Sequence, residues 1–191
     1  MKNVVIKSIC RILTVLLALQ LCEVRVDAAT MSGGTLLAGS YSSGHNYYKG
    51  LSNAQAKQAD MIAKSIADSI MSNPSYTTDL QRVTAASQAV EAYKYSGIYG
   101  MDNMKYYRSP YGLFVAGVYT CAGTTRSLGR VLDYMGYKWQ HTNENQYRHQ
   151  WCVLTMDGQM GFADGMAGIA GYGTYYNGMI LPDGTQVFYA E

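Results

Sequence analysis

The stretch VYTCAGTTRSLGRVLDYMGY, residues 118–137, joins a cysteine to the start of an amphipathic helical pattern. Apolar side chains recur at helical spacing from Leu128 to Met135, and Gly136 is suited to end the helix. Cys121 would lie in the first turn, where free N–H groups and the helix dipole favour a thiolate over a thiol. The stretch therefore predicts a helix with a candidate nucleophile at its N-terminus.

Two further helices are predicted before this stretch. A capping box that begins at Ser52 starts the first helix, and the SNP motif at 72–74 ends it. Apolar residues at helical spacing then indicate a second helix, which begins at Thr77 or Thr78 and ends at Gly97. Each helix carries one apolar face, so both are expected to pack on a common core.

Beyond residue 137 the hydrophobic period changes from helical to alternating. The segments HQWCVLT and QMGFAD flank an Asp-Gly pair at 157–158, a pattern that predicts a β-hairpin with a two-residue turn. A second hairpin is predicted where GMIL and TQVFY flank Pro-Asp-Gly at 182–184. Helices first and hairpins afterwards indicate an α+β fold, with N-terminal helices packed on an antiparallel sheet.

The first hairpin brings an imidazole and a carboxylate together. A two-residue turn at 157–158 places Asp164 opposite Trp151, on the same face as His149 and diagonal to it. A carboxylate in that position orients the imidazole and stabilises its cation. The candidate catalytic residues are therefore Cys121 as nucleophile, His149 as base and then acid, and Asp164 as the orienting group.

The first 28 residues have the composition of a secretory signal peptide. Basic residues, an apolar run at 12–21 and small residues that end at Ala28 follow one another in that order. The apolar run is too short to span a bilayer, which takes about 20 residues. We therefore expect cleavage after Ala28, a secreted, extracellular or cell-surface location, and no integral membrane segment in the mature chain.

Removal of residues 1–28 leaves 163 residues, divided into an exposed lead-in over 29–50 and one domain over 51–191. The removed segment carries four basic and two acidic residues, so 11 of each remain and the formal charge is near zero. A chain without net positive charge lacks the electrostatic attraction by which proteins bind nucleic acid. Because no zinc or EF-hand spacing is present either, we expect no nucleic-acid partner, no metal and no cofactor.

The order of these residues resembles the transglutaminase-like superfamily, part of the papain-like cysteine class. The resemblance lies in TCAGTTRSLGRVLDYMGYKW and HQWCVLTMDGQMGFAD, and it covers roughly residues 110–166. It implies a central helix that carries the nucleophile at its N-terminus and packs on an antiparallel sheet. By the same resemblance Cys121, His149 and Asp164 would be the catalytic positions, and the domain over 51–191 would be transglutaminase-like.

The sequence does not identify the group that would donate a hydrogen bond to the oxyanion in such a site. The aromatic residue that often follows the nucleophile in that family is replaced here by Ala122-Gly123. Tyr111 and Tyr119, in a Tyr/Gly-rich linker over 98–120, are candidate donors, with packing as their alternative role.

Cys121 also has a competing interpretation as half of a disulfide. Cys121 and Cys152 are the two cysteines that remain after the predicted cleavage, and an exported chain can join them. If His149 faces Cys121, strand parity turns Cys152 to the opposite face. The disulfide and the triad therefore stand as alternatives at the level of the sequence.

The leading hypothesis is an exported cysteine enzyme that acts on amide bonds of peptides or proteins. The Cys121 thiolate would form a thioester with the carbonyl carbon, and His149 would protonate the leaving nitrogen. Water as acceptor gives a peptidase or amidase, whereas an amine gives transglutaminase-type acyl transfer. The expected partner is a peptide or protein substrate, with cell-wall peptide among the candidates. The alternative is a secreted binding or surface protein that retains this fold without catalysis.

Overall fold

The computed structural model describes residues 47–100, 104–142, 149–175, 177–180 and 186–188. The predicted signal peptide and all but the last four residues of the predicted lead-in lie outside this part of the chain. Helices come first and an antiparallel sheet follows, which confirms the α+β class. No helix within the described ranges has both the length and the apolar character that a membrane span requires.

Three helices form one layer of the fold. They are α1 (Asn53–Met71), α2 (Asp79–Lys94) and α3 (Cys121–Tyr134). A parallel pair of two-residue strands and a π-helical turn occupy the segment that was predicted to be a linker. They are β1 (Ile98–Tyr99), the turn Gly112–Ala116 and β2 (Val118–Tyr119). The segment before α3 is therefore structured rather than a plain connection.

The second layer is an antiparallel sheet whose six described strands follow one another in sequence order. They are β3 (Trp139–His141), β4 (Cys152–Met156), β5 (Gln159–Asp164), β6 (Ile169–Thr174), β7 (Asn177–Ile180) and β8 (Gln186–Phe188). The pairing of β7 with β8 confirms the C-terminal hairpin, and its turn at 182–184 lies outside the described residues. Strand β6, which was not predicted, joins the two hairpins into one sheet.

The helices begin where the sequence predicts. Ser52 accepts a hydrogen bond from the backbone N–H of Gln55, and the Gln55 side chain accepts one from the Ser52 N–H at 2.9 Å. Thr78 and Gln81 form a second capping box at the start of α2. Both boxes satisfy N–H groups that a helix leaves without internal partners. Gly136, with φ of +87°, follows the end of α3 as expected.

Tyr47 corrects the prediction of an exposed lead-in. Its side chain is only 1 % exposed, and its hydroxyl donates to Asp133 at 2.9 Å. The ring covers Arg130, a fully buried arginine of α3 that bonds to Asp60 of α1 at 2.6 Å. A buried ion pair must be shielded from water and have its polar atoms satisfied. The predicted exposure is therefore wrong at Tyr47, because this tyrosine closes the interface between α1 and α3.

The first hairpin has the register that the two-residue turn dictates. Met156 pairs with Gln159 across the turn. Asp157 and Gly158 both have positive φ, of 50° and 78°, as a type I′ turn requires. The Asp157 carboxylate also accepts a hydrogen bond from the Asp79 N–H at 2.9 Å, at the start of α2. The turn thus sets the register of the hairpin, and its hydrogen bond joins the hairpin to the start of α2.

Successive side chains of β4 and of the residues next to it point to opposite faces of the sheet. Cys152 and Met156 join the core beneath the helices. Trp151, Phe162 and Tyr175 form a separate buried cluster. The different surroundings of Trp151 and Cys152 follow the strand parity that the sequence predicted.

Candidate active site

Cys121 is the first residue of α3 and is half-buried. Thr120 precedes it as the N-cap, and the Thr120 hydroxyl accepts a hydrogen bond from the Gly123 N–H at 3.4 Å. The same hydroxyl donates to the Tyr107 carbonyl at 3.1 Å, so the 107 backbone passes close to the first turn. A Cβ on Gly123 would lie 2.4 Å from the Tyr107 oxygen. The small residue at position 123, near Cys121, is therefore required by this close backbone contact.

Asp164 is held in a fixed orientation at the end of β5. Its carboxylate is 1 % exposed, and one oxygen accepts backbone N–H groups from Met166 at 2.7 Å and from Ala167 at 3.3 Å. The other oxygen accepts the Tyr175 hydroxyl at 2.9 Å and lies 2.6 Å from His149 Nε2. Four contacts leave this buried carboxylate little freedom, so it aligns the imidazole ring.

The Cys121 thiol and the His149 side chain lie near enough that each shifts the pKa of the other. Because Asp164 occupies Nε2 of the ring, Nδ1 is the nitrogen left to face the thiol. The structure thus brings together all three residues that the sequence singled out, in the order cysteine, imidazole, carboxylate. This is the arrangement in which an imidazole can take a proton from a nucleophile and have its cation stabilised.

Helix α3 also holds the segment that carries His149. The Thr125 hydroxyl donates to the Gln150 carbonyl at 2.8 Å. Arg126 donates to the Gln150 side-chain oxygen at 3.4 Å and to the Ala122 carbonyl at 3.0 Å. These bonds lock the backbone next to the imidazole onto the helix that presents the thiol.

The electrostatics of the site favour a thiolate paired with an imidazolium. Burial raises the pKa of Cys121, but hydrogen bonds from His149 and from the backbone N–H groups of Gln150 and Ala122 outweigh it and hold the pKa below its usual range. Burial lowers the pKa of His149, but Asp164 and the cysteine outweigh it and raise that pKa to about 9. Between these two pKa values both partners are charged.

Alkylation of Cys121 by iodoacetamide is therefore expected to titrate with a midpoint below about 8.5, the pKa of an ordinary cysteine. In a His149→Gln variant the midpoint should rise, because the imidazolium that lowers the thiol pKa is lost while the burial that raises it remains. The measurement is the alkylation rate against pH, with the modified residue assigned by mass spectrometry. An identical midpoint in the two proteins would contradict the coupling of Cys121 to His149.

Cys152 is a free thiol in a different environment. It is fully buried, and its thiol donates to the Thr125 carbonyl at 3.5 Å. Burial raises the pKa of this thiol well above its usual range. Cys121 is also a free thiol, so the structure contains no bond between the two cysteines. The two cysteines thus differ in burial and in the direction in which their surroundings shift the thiol pKa.

Tyr99 is a residue of the site that the sequence did not indicate. Burial of part of its ring and the nearby charge of Cys121 raise the pKa of its hydroxyl above the usual range. The two candidates from the sequence lie elsewhere: Tyr119 packs against Tyr99, with ring centroids 5.7 Å apart, and Tyr111 packs against Tyr106 at 5.1 Å. A different tyrosine of the same segment therefore lies near enough to Cys121 to feel its charge.

A weak signal for Tyr99 does exist in the sequence. Ile98-Tyr99 and Val118-Tyr119 are both a β-branched residue followed by tyrosine, and they pair as the two parallel strands β1 and β2. The second strand leads directly into the first turn of α3. Pairing these two short motifs as neighbouring strands would have placed Tyr99 near Cys121.

Within the described part of the chain, no cluster of three or more His, Cys, Asp or Glu side chains is arranged to hold a metal ion. Comparison with protein-family models, curated proteins and solved structures finds no match to this chain. The chemistry of the site must therefore be inferred from its own geometry.

Proposed function

We propose that this chain is a cysteine enzyme with a transglutaminase-like arrangement, which acts on amide bonds of peptides or proteins through a thioester intermediate. One observation carries the proposal: His149 lies 2.6 Å from the buried Asp164 and near enough to the thiol at the N-terminus of α3 to lower the pKa of that thiol. Lowering a thiol pKa and orienting an imidazole are what nucleophilic acyl transfer requires.

In the first half-reaction the Cys121 thiolate attacks the carbonyl carbon of the substrate. A carbon–sulfur bond forms, and the electron pair of the carbonyl moves onto its oxygen. When this intermediate collapses, the carbon–nitrogen bond breaks and the nitrogen takes the proton from His149. The products are an amine and an acyl group held as a thioester on Cys121. Asp164 stabilises the imidazolium until that proton is transferred.

In the second half-reaction His149, now neutral, takes a proton from the acceptor as the acceptor attacks the thioester carbon. The carbon–sulfur bond then breaks and returns the thiolate of Cys121. Water as acceptor releases a carboxylic acid, which is hydrolysis. A primary amine as acceptor releases a new amide, which is transfer. The Cys–His–Asp geometry serves both outcomes, and the extent to which water is excluded from the cleft decides between them.

An exported location is part of the proposal. It is supported by the basic, apolar and small-residue order of residues 1–28. An enzyme outside the cell meets secreted proteins, surface proteins and cell-wall peptide, all of which contain amide bonds. The near-zero charge of the chain after residue 28 fits a peptide or protein substrate better than a polyanion.

The proposal is tested with the native protein, a methylated casein as acyl donor and a fluorescent primary amine as acceptor. We expect a thioester adduct on the peptide that contains Cys121 after acid quenching, detected by mass spectrometry. Fluorescence incorporated into casein would identify transfer, and new casein fragments or glutamate formed from casein glutamine would identify hydrolysis. If neither product and no adduct forms with casein or with a simple ester, the non-catalytic alternative is supported instead.

A further inference from the structure

We propose that Tyr175 is a positioning residue of this site, whose buried hydroxyl aims the Asp164 carboxylate at the His149 ring. The proposal rests on the proposed function and adds to it a group outside the Cys–His–Asp set. Tyr175 acts on Asp164, and through Asp164 on the imidazole. It lies in the turn between β6 and β7, where the sequence indicated no functional residue.

The Tyr175 hydroxyl and the His149 ring meet at the same oxygen of Asp164. That oxygen, Oδ2, accepts the phenolic O–H at 2.9 Å and lies 2.6 Å from His149 Nε2. A carboxylate oxygen accepts hydrogen bonds along two lone-pair directions. The phenol fills one direction and leaves the other for the ring nitrogen. The position of Tyr175 therefore determines where the imidazole is bound.

Both partners of this hydrogen bond are shielded from water. Asp164 is 1 % exposed and Tyr175 is 7 % exposed, so water cannot readily replace a missing hydroxyl. The other oxygen of Asp164 accepts the N–H groups of Met166 at 2.7 Å and of Ala167 at 3.3 Å. A buried carboxylate that loses the phenol gains by turning toward these two donors, because its charge requires hydrogen bonds. That turn moves Oδ2 away from the ring.

Two buried aromatic side chains hold the ring of Tyr175 in place. It is stacked on Phe162, with centroids 4.5 Å apart and planes at 22°, and it meets Trp151 edge to face at 4.9 Å. Trp151 and Tyr175 also border His149, at centroid distances of 6.0 Å and 6.3 Å. Because a packed aromatic ring has few torsions left to change, its hydroxyl is a preorganised donor.

The end of β6 turns the chain back toward Asp164. The strand has a register shift around Gly173, whose φ is +81°. A bulge with a left-handed glycine bends its strand and redirects the side chains that follow. Phe162 pairs with Gly171, and in a regular strand residue 175 would lie about 13 Å beyond Gly171. The stacking of Tyr175 on Phe162 therefore depends on this bend.

The test compares Tyr175→Phe, which removes the hydroxyl and keeps the ring, with Tyr172→Phe as the matched control. Tyr172 lies on β6 three residues earlier, and its hydroxyl also donates to a carboxylate, that of Asp157 in the hairpin turn, at 2.8 Å. The first measurement is the proton NMR resonance of His149 Nε2–H at neutral pH, which is assigned by its loss in His149→Gln. A proton in a short N–H···O bond to a carboxylate resonates downfield of the backbone amides.

The second measurement is the rate of acylation by p-nitrophenyl acetate, from the release of p-nitrophenolate. It is made for the native protein, for Tyr175→Phe, for Asp164→Asn and for the double variant. Residues that act through one another give non-additive effects, whereas independent effects add. Circular dichroism and a urea titration show that each variant remains folded.

We expect Tyr175→Phe to move the Nε2–H resonance upfield, or to lose it to exchange with water, as Oδ2 turns away from the ring. Acylation should slow roughly 10-fold, because the imidazole is less well aligned. In the Asp164→Asn background the same change should slow acylation less than about twofold, since no carboxylate remains to be aimed. Tyr172→Phe should match the native protein in both measurements.

Four results would overturn the assignment. They are no downfield resonance in the native protein, a resonance that stays in place or moves further downfield in Tyr175→Phe, unchanged acylation in that variant, and equal slowing with and without Asp164. The last result would show that the hydroxyl supports the fold in general. If the native protein shows the resonance but is never acylated, the proposed function fails, and the shift in Tyr175→Phe alone decides whether the phenol aligns Asp164 with His149.

Discussion

Replacing Cys121 with alanine is expected to abolish acyl-enzyme formation, whereas replacing Cys152 with alanine is expected to leave its rate within about threefold of the native rate. The first change removes the nucleophile, for which no neighbouring group can substitute. The second removes a thiol that is fully buried, bonded to the Thr125 carbonyl and held in its protonated form by its raised pKa. The two variants are matched because each replaces one of the two described cysteines by the same residue.

The measurement is the burst of p-nitrophenolate from p-nitrophenyl acetate, followed by assignment of the acetylated peptide by mass spectrometry. Cys152→Ala should lower the free energy of unfolding by about 1 kcal/mol, because it leaves a gap of one heavy atom in the core. A urea titration of both variants shows that each remains folded. An acetyl group on Cys152 in the Cys121→Ala protein would contradict the assignment of the nucleophile.

The parts of the site that the sequence predicted depend on short-range rules. An Asp-Gly pair between alternating segments permits one compact turn, and that turn fixes which residues of β4 and β5 face each other. Once the register is fixed, the period of two places His149 and Asp164 on one face. The start of α3 is equally local, since Thr120 caps it and the apolar stripe follows. These rules brought together three residues, from the start of α3, the segment before β4 and the end of β5.

The parts that the sequence missed depend on contacts between distant segments. Strand β1 consists of two residues, and it is stable because β2, some twenty residues later, pairs with it. No periodicity can appear over two residues, so Tyr99 looked like one tyrosine among many. Strand β6 was missed because its glycines, Gly171 and Gly173, weaken a strand signal in isolation. The neighbouring strands β5 and β7 supply the hydrogen bonds that override that weakness.

Tyr47 was missed for a different reason, which is electrostatic. Residues 43–50 read SGHNYYKG, a Gly-containing polar composition typical of exposed loops. Arg130 lies in the middle of an apolar stripe, and nothing local shows that Asp60 reaches it from another helix. A buried ion pair requires both an apolar cover and further polar partners. Tyr47 supplies the cover with its ring and a hydrogen bond to Asp133 with its hydroxyl, so it is drawn into the core.

Replacing Asp164 with asparagine is expected to slow acyl transfer by a factor on the order of 10²–10⁴ while the protein remains folded. Asparagine has the same size, and its oxygen can still accept the Met166 and Ala167 N–H groups. Its amide, however, carries no charge to stabilise an imidazolium, and an NH₂ directed at Nε2 makes that nitrogen an acceptor. The proton then moves to Nδ1, the nitrogen that faces Cys121, so His149 can no longer act as a base toward the thiol.

The same variant should change how stability depends on pH. The pKa of His149 is raised to about 9 in the folded protein, against about 6.5 in an unfolded chain, so its protonation stabilises the fold fully below pH 6.5. That contribution is lost as pH rises from 6.5 through 9, because the folded protein then gives up the proton that it held more tightly. Without the carboxylate, the folded pKa should fall toward 6.5 and the contribution should shrink.

Urea unfolding of the native protein and of Asp164→Asn at pH 6 and at pH 9.5 measures this difference. The free energy of unfolding of the native protein should exceed that of Asp164→Asn by more at pH 6 than at pH 9.5. The difference shrinks because His149 is neutral in both proteins at the higher pH. Asp68→Asn is the control, because Asp68 forms an exposed pair with Lys64 on α1, of a kind that contributes little to stability. If the two proteins differ in free energy of unfolding by the same amount at both pH values, Asp164 supports the fold only through its contacts with the backbone and with Tyr175. It then does not stabilise the charged imidazole on which the proposed chemistry depends.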